Sequence, residues 1–268
     1  MHKEISSIQN PLVKKLVQLQ EKSRERRKNQ IFVIEGFREI KLALKAGYDV
    51  DQLLYCSKIL AVADQRELFT FLPEDTEILS ISQEVYTKIA YRNSTEGVIA
   101  VAKMRDHSLQ NLDLPENPLL LIAEAPEKPG NIGALLRTAD AAGVDAFIIA
   151  NPLTDLYNPN IIRSSVGCVF TQKIAMASST EVIEYLKKRK INIFTAILQD
   201  ALPYQEIDFK DSAAIVVGTE ADGLTDEWRE NSTQNIIIPM QGKIDSMNVS
   251  VAAAILIFEA RRQRGFKS

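Results

Sequence analysis

Two cysteines, two histidines and one tryptophan are all that 268 residues hold of those types. Cys56 and Cys168 cannot build a disulfide framework, so a reducing cytoplasm is the expected setting. Cys168 lies in the apolar run Val166-Gly167-Cys168-Val169-Phe170 and reads as a packed thiol rather than a nucleophile. His2 is near the N-terminus and His107 lies in a polar stretch, which leaves a His-based triad remote. So few His and Cys leave little room for a zinc site, and no metal is expected. Counting does not bear on magnesium held by carboxylates. No apolar run approaches the ~20 residues of a membrane span. The opening MHKEISSIQNP has no signal-peptide h-region, so no membrane partner is expected. Also missing are a G-x-G-x-x-G after the early strands, a G-x-x-x-x-G-K-[ST] loop and a G-x-S-x-G elbow. Those absences weigh against a nicotinamide oxidoreductase and a nucleoside triphosphatase.

What is present is ordinary in amount and uneven in distribution. Hydrophobic residues make up 46% and charged residues 25%, as in a globular protein of one or two domains. Net charge is −3, yet residues 1–30 carry eight basic side chains against three acidic ones. Arg261, Arg262, Arg264 and Lys267 crowd the other end against Glu259 alone. Basic ends on an acidic body fit a polyanion partner, and equally a solvated helix face.

Asn10 to Arg27 reads as one amphipathic helix. Leu12, Val13, Leu16, Val17 and Leu19 form its apolar side, and Pro11 stands in its first turn. Strands are expected at 31–35, 52–56, 77–81 and 97–102, with helices at 37–45, 59–69 and 83–89, giving a small α/β domain. Asp106 to Pro118 is polar, holds two prolines and reads as a linker. The expected division is 1–104, a linker at 105–117, and 118–268. In the second part the apolar run Leu119–Ala123 suits a buried parallel strand. Helices at 132–142, 181–189 and from 225, with strands at 146–150, 192–197 and 213–217, predict a mostly parallel sheet covered on both faces.

Ligands of such sheets sit beyond the carboxyl ends of the strands. Three loops leave strand ends there. The first runs Glu127-Lys128-Pro129-Gly130-Asn131-Ile132-Gly133, with Arg137 on the helix behind it. The second is Gly218-Thr219-Glu220-Ala221-Asp222-Gly223-Leu224. The third follows Ile236-Ile237-Ile238 and runs from Pro239 to Asn248, before the apolar segment Val249 to Phe258. Each has a plain structural reading. Asn131 can sit at a helix entry, Arg137 can pair with Asp140, Glu220 can face a helix N-terminus, and Ser246 or Asn248 can cap a helix.

Taken together, Asn131-Ile132-Gly133-Ala134-Leu135-Leu136-Arg137-Thr138-Ala139, Gly218 to Leu224, and Ile238-Pro239-Met240-Gln241-Gly242 with Ser246-Met247-Asn248-Val249-Ser250 resemble the three signature motifs of the SpoU RNA ribose 2′-O-methyltransferases of the SPOUT superfamily. Order and spacing agree over residues 119–264. Ser7-Ile8-Gln9-Asn10-Pro11 and Phe32-Val33-Ile34-Glu35-Gly36 resemble, more weakly, the N-terminal domain of its ribosomal-RNA members.

The resemblance implies an α/β sheet tied in a deep trefoil knot, which general chain rules would not suggest. It implies S-adenosylmethionine as cofactor, held near Thr195, Ala196, Gly218, Ile238 and Met247, and a homodimer formed through the C-terminal domain. Asn131, Arg137, Glu220, Ser246 and Asn248 would line the reaction centre. Lys14, Lys15, Arg24, Arg26, Arg27 and Arg163 would meet RNA. Met247 stands where Leu is usual, and Asn160 where Lys or Arg is usual. Ribosomal RNA is favoured over tRNA on the strength of the N-terminal domain. An RNA-binding ribosome assembly factor with little turnover is the alternative outside the enzymes.

Overall fold

The computed structural model describes residues 4–91, 96–219, 223–243 and 246–266. The chain opens with α1 (Pro11–Glu21), α2 (Ser23–Asn29), β1 (Ile31–Glu35), α3 (Phe37–Lys45), β2 (Val50–Tyr55), α4 (Val62–Phe71), β3 (Glu77–Ser80), α5 (Gln83–Ile89) and β4 (Val98–Lys103). It continues with β5 (Leu119–Glu124), α6 (Pro129–Ala142), β6 (Ala146–Ala150), α7 (Pro159–Ser164), α8 (Cys168–Thr171), β7 (Ile174–Ala177) and α9 (Ser179–Lys188). Last come β8 (Asn192–Ala196), β9 (Leu202–Pro203), β10 (Ala213–Val217), α10 (Asp226–Glu230), β11 (Gln234–Ile237) and α11 (Val249–Arg264).

Two compact units result, residues 1–105 with 155–171, and 106–154 with 172–268. The first holds a four-stranded sheet in the order β1-β4-β2-β3. β4 lies inside it and is buried at every position but its last, so both faces are covered. Val33, Leu54, Ile99 and Val101 pack against Val13, Leu16 and Leu19 of α1 and Val85 and Ile89 of α5. The stretch expected as one helix breaks at Lys22, which is extended at φ −119° and ψ 111°. The break sends Arg26 inward. Its guanidinium donates to the Leu19 and Gln20 carbonyls, at 2.6 and 3.1 Å, and to Asp155 Oδ2 at 2.6 Å. Periodicity alone continues the helix; the carbonyls at the end of α1 and the Asp155 carboxylate reward stopping it.

The second unit is a seven-stranded sheet, β7-β6-β5-β10-β8-β11-β9, with every pair parallel. β7 and β9 lie outside the strands expected from sequence; both are edge strands, of four and two residues. β5, β6 and β10 are buried at every position. Alternation sends Leu120, Ile122, Ala214, Val216 and Ile193 to the core shared with α9 and Trp228 of α10. The other parity faces α6 and α11, which pack on each other. The stretch expected as a linker is bound into this unit. Leu109 and Leu112 join its core, and Met176 N–H donates to the His107 carbonyl at 2.7 Å.

Arg261 and Arg264 of the basic C-terminal cluster are likewise engaged internally. Arg261 is buried and donates to the Ala142 and Gly143 carbonyls, capping α6 where the helix dipole favours a cation. Arg264 donates to the Phe209, Asn117, Pro118 and Asp211 carbonyls. Arg262 pairs with Glu259, one turn back on the same helix. α11 thus runs past Phe258 to Arg264 because its last turn has carbonyl partners.

Candidate cofactor cleft and reaction centre

Strand register sets the site. Val217 lies beside Ala123, Val216 beside Thr195, and Ile236 beside Ala196. The carboxyl ends of β5, β10, β8 and β11 therefore finish within a residue or two of one level. Gly218 and Ile238 follow two of those ends, and Ala196 is the last residue of a third. A Cβ on Gly218 would lie 2.2 Å from the Gly223 carbonyl carbon and oxygen. Only glycine lets the chain fold back so tightly, into the paired bonds Thr219 N–H to Gly223 O and Gly223 N–H to Thr219 O.

A cleft of about 470 Å³, open to solvent, lies at these ends. Its walls are Ala123 and the Pro126–Lys128 turn, Asn131 and Leu135 of α6, Gly218 and Thr219, and Val249 of α11. The N-terminal turns of two long helices, α6 and α11, thus line one cleft, and both favour negative charge there. Asn248 caps α11 through its Oδ1, which accepts from Ser250 N–H at 3.0 Å and Ser250 Oγ at 2.6 Å. Its Nδ2 donates to Asn131 Oδ1 at 3.3 Å.

The expected site residues divide as follows. Asn131, Gly218 and Asn248 come together. Arg137 is exposed on α6 and makes no bond with Asn131 or with Asp140, whose carboxylate accepts instead from Gln172. Ser246 is exposed and Met247 half-buried, and neither caps α11. Thr195 is fully buried, with its hydroxyl against Asn235 Oδ1 at 2.6 Å and against Ser232, so its one proton is already committed within the protein. Glu220 lies outside the described residues. In the first unit Lys14, Lys15, Arg24, Arg27 and Arg163 are exposed. Arg26 is 2% exposed and paired, so it is a packing residue and not one that meets RNA.

One residue escaped the sequence reading. Glu124 ends β5 at 1% exposure and accepts bonds from Ser179 and Thr225. The signal was a carboxylate directly continuing a buried apolar run, which demands partners wherever it occurs.

An all-parallel sheet with a cleft at its strand ends and glycine-bearing loops around it defines a small-molecule-using α/β enzyme. The family follows from comparison. A model of the SpoU rRNA Methylase family matches residues 118–258, and an MRM3-like substrate binding domain matches residues 10–100. The chain belongs to the SpoU rRNA methylase family. The 23S rRNA (guanosine(2553)-2′-O)-methyltransferase RlmP of Bacillus subtilis (strain 168) is 30% identical over 97% of this chain and 99% of that protein. A crystal structure of an RNA 2′-O ribose methyltransferase is 37% identical, with TM-score 0.85, over 98% of this chain and 99% of that one. The SpoU methyltransferase AviRb from Streptomyces viridochromogenes, solved with the cofactor AdoMet, is 28% identical with TM-score 0.88 over 96% of this chain and 98% of that one.

Proposed function

We propose that this chain methylates a ribose 2′-hydroxyl of 23S ribosomal RNA, using S-adenosylmethionine, as a cytoplasmic homodimer. It is an RNA 2′-O-methyltransferase by family; the RNA is argued from the relative that acts on 23S rRNA and from the matched substrate-binding domain. The observation that carries the reading is the cleft at the ends of β5 and β10, closed by Asn131, Gly218, Thr219 and Val249.

The residues fit the cofactor. The cleft opens at the strand ends, where parallel sheets take their ligands, and its lining of apolar side chains (Ala123, Leu135, Val249) beside main-chain groups at Gly218 and Thr219 suits a nucleoside. Bound there, S-adenosylmethionine supplies an electrophilic methyl group. Main-chain groups at Ala196, Gly218, Ile238 and Met247 would hold it, with Thr195 serving only through its backbone. The 2′-oxygen would have to face that methyl group and pass its proton on, for which an RNA phosphate oxygen beside it serves as acceptor. Arg137 is exposed, its fork of donors has no partner among the described residues, and it would hold the RNA phosphate and the developing alkoxide. A guanidinium does not give up its own proton, so Arg137 organises the reaction and is not the base. Asn131 and Asn248 steady the cleft wall, and Glu220 and Ser246 complete the centre.

The knot of the family would lie where the chain turns back after β11 toward α11. Its support is the chain path: β11 lies three strands from β5, yet α11 returns to pack on α6, the helix that follows β5. The dimer rests on α11, which leaves Val251 and Phe258 exposed at i and i+7 with Ile255 half-buried between them. A second copy of the same helix suits such a stripe. Among the described residues no helix is long and apolar enough to cross a membrane.

The test is transfer of labelled methyl groups to ribosomal RNA, with 2′-O-methyl sites mapped in cells with and without the gene. RNA binding without transfer of label overturns the proposal.

A further inference from the structure

Glu124 presents a chemical oddity. It is a carboxylate in the interior of an apolar sheet, 1% exposed, and no cation contacts it among the described residues. Its partners are neutral donors. Oε1 accepts from Ser179 Oγ at 2.8 Å and from Thr225 Oγ1 at 2.9 Å, and Oε2 accepts from Thr225 N–H at 2.9 Å. Ser179 has no choice of direction. Its oxygen already receives Trp228 Nε1–H at 3.0 Å and Asn151 Nδ2–H at 2.9 Å, which leaves its one proton for Glu124. The site is built for a group that only accepts.

Position says what the group is for. Val217 pairs with Ala123, so Glu124 stands level with Gly218 on the neighbouring strand. The loop that leaves the sheet at Gly218 returns at Thr225, and Thr225 is fastened to Glu124 by main chain and side chain together. The loop is thus closed on two adjacent strand ends. Alternation turns Ala123 into the cleft and Glu124 to the opposite face, toward α9 and α10. Glu124 does not touch the cleft.

We infer that Glu124 is a positioning residue for the transfer reaction: it fastens Thr225, and with it Gly223, and so sets the Gly218–Thr219 wall of the cleft that Gly223 pairs with. This rests on the reading of that wall as part of the S-adenosylmethionine site. Glutamine is not a neutral replacement, because one half of its amide would present N–H where donors already point. Valine at 225 removes one of the three bonds and leaves the main-chain one; serine at 225 keeps all three.

The experiment measures S-adenosylmethionine Kd by calorimetry, KM for RNA and kcat in E124Q, T225V and T225S, on the full chain, at temperatures where circular dichroism shows each folded. Cofactor Kd is expected to rise about tenfold or more in E124Q, less in T225V and not at all in T225S, with KM for RNA unchanged. A purely architectural role predicts lower melting temperatures with cofactor Kd within about twofold of the parent, and that result overturns the inference. Should E124Q fail to fold, T225V alone decides, on the same criterion. Failure of the parent chain to bind S-adenosylmethionine is a different outcome and sinks the site reading itself.

Discussion

Asn248 and Asn131, 117 residues apart, are joined by one hydrogen bond of 3.3 Å between their side-chain amides. The oxygen of the same Asn248 caps α11. One side chain therefore starts the last helix and ties it to the first helix of the sheet, at the mouth of the cleft. Capping and site-building are separate functions of its two amide atoms.

They can be separated by substitution. Asp caps as well as Asn but donates nothing. N248D should keep the melting temperature near that of the parent and lose methyl transfer by about tenfold. N248A should lose both, with about 1 kcal/mol of stability. Parental transfer rates in N248D would disprove the tie to Asn131.

Arg137 is assigned to the reacting atoms and not to the cofactor. R137A should lower kcat about a hundredfold or more and leave S-adenosylmethionine Kd unchanged. R137K should not rescue, since an ammonium lacks the planar fork. Near-parental turnover in R137A would remove it from the centre.

Arg26 and its basic neighbours should behave in opposite ways. R26A leaves the Asp155 carboxylate covered and unpaired, and should cost about 3–5 kcal/mol in chemical denaturation. Neutralising Lys14, Lys15, Arg24 and Arg27 together should leave stability alone and weaken RNA binding. It should also flatten the salt dependence of binding, by about one power of salt for each phosphate that no longer meets a cation. An unchanged salt slope would assign those four to plain solvated surface.

Gly218 and Gly130 make a matched pair. An added Cβ at Gly218 meets main chain at 2.2 Å, whereas one at Gly130 meets nothing within 4 Å. G218A should abolish S-adenosylmethionine binding, read by calorimetry. G130A lies within α6 and should raise stability by about 0.5–1 kcal/mol.

Acid should loosen α9. Bonds from the Ser178 hydroxyl and then its N–H hold the Glu181 carboxyl below its ordinary 4.5. A carboxyl lowered in the folded state stabilises above the unfolded value and loses that contribution as pH falls through the folded one. The melting temperature of E181Q should trail the parent at pH 7 and converge with it in acid, once pH has fallen through the lowered Glu181 value; a constant gap would remove the capping box as the cause.

Much of this was legible in residue order. The all-buried runs of β5 and β10 announced a parallel sheet, because strands covered on both faces need apolar side chains at every position. The short edge strands β7 and β9 carried too few residues for a pattern, and β9 is held by only two register pairs with β11. Motif order placed Asn131, Gly218 and Asn248 in one site before any contact was known. What motif order could not supply was the use of each charge. Arg26 and Arg24 sit two apart in one basic run, yet one is buried and the other exposed. Arg261 and Arg264 suited a polyanion patch or a solvated helix face equally, and they are neither: they bond carbonyls far away in the chain.

The sequence by itself determined the buried strands, the glycine positions and the family, since these depend on local geometry and on residue types at fixed spacing. Only the tertiary structure decided which polar groups face solvent and which face each other. Asp155 for Arg26, Asn248 for Asn131 and Thr225 for Glu124 are partners across 129, 117 and 101 residues. No local pattern encodes them, because a buried donor or acceptor is satisfied by whatever the folded chain brings beside it.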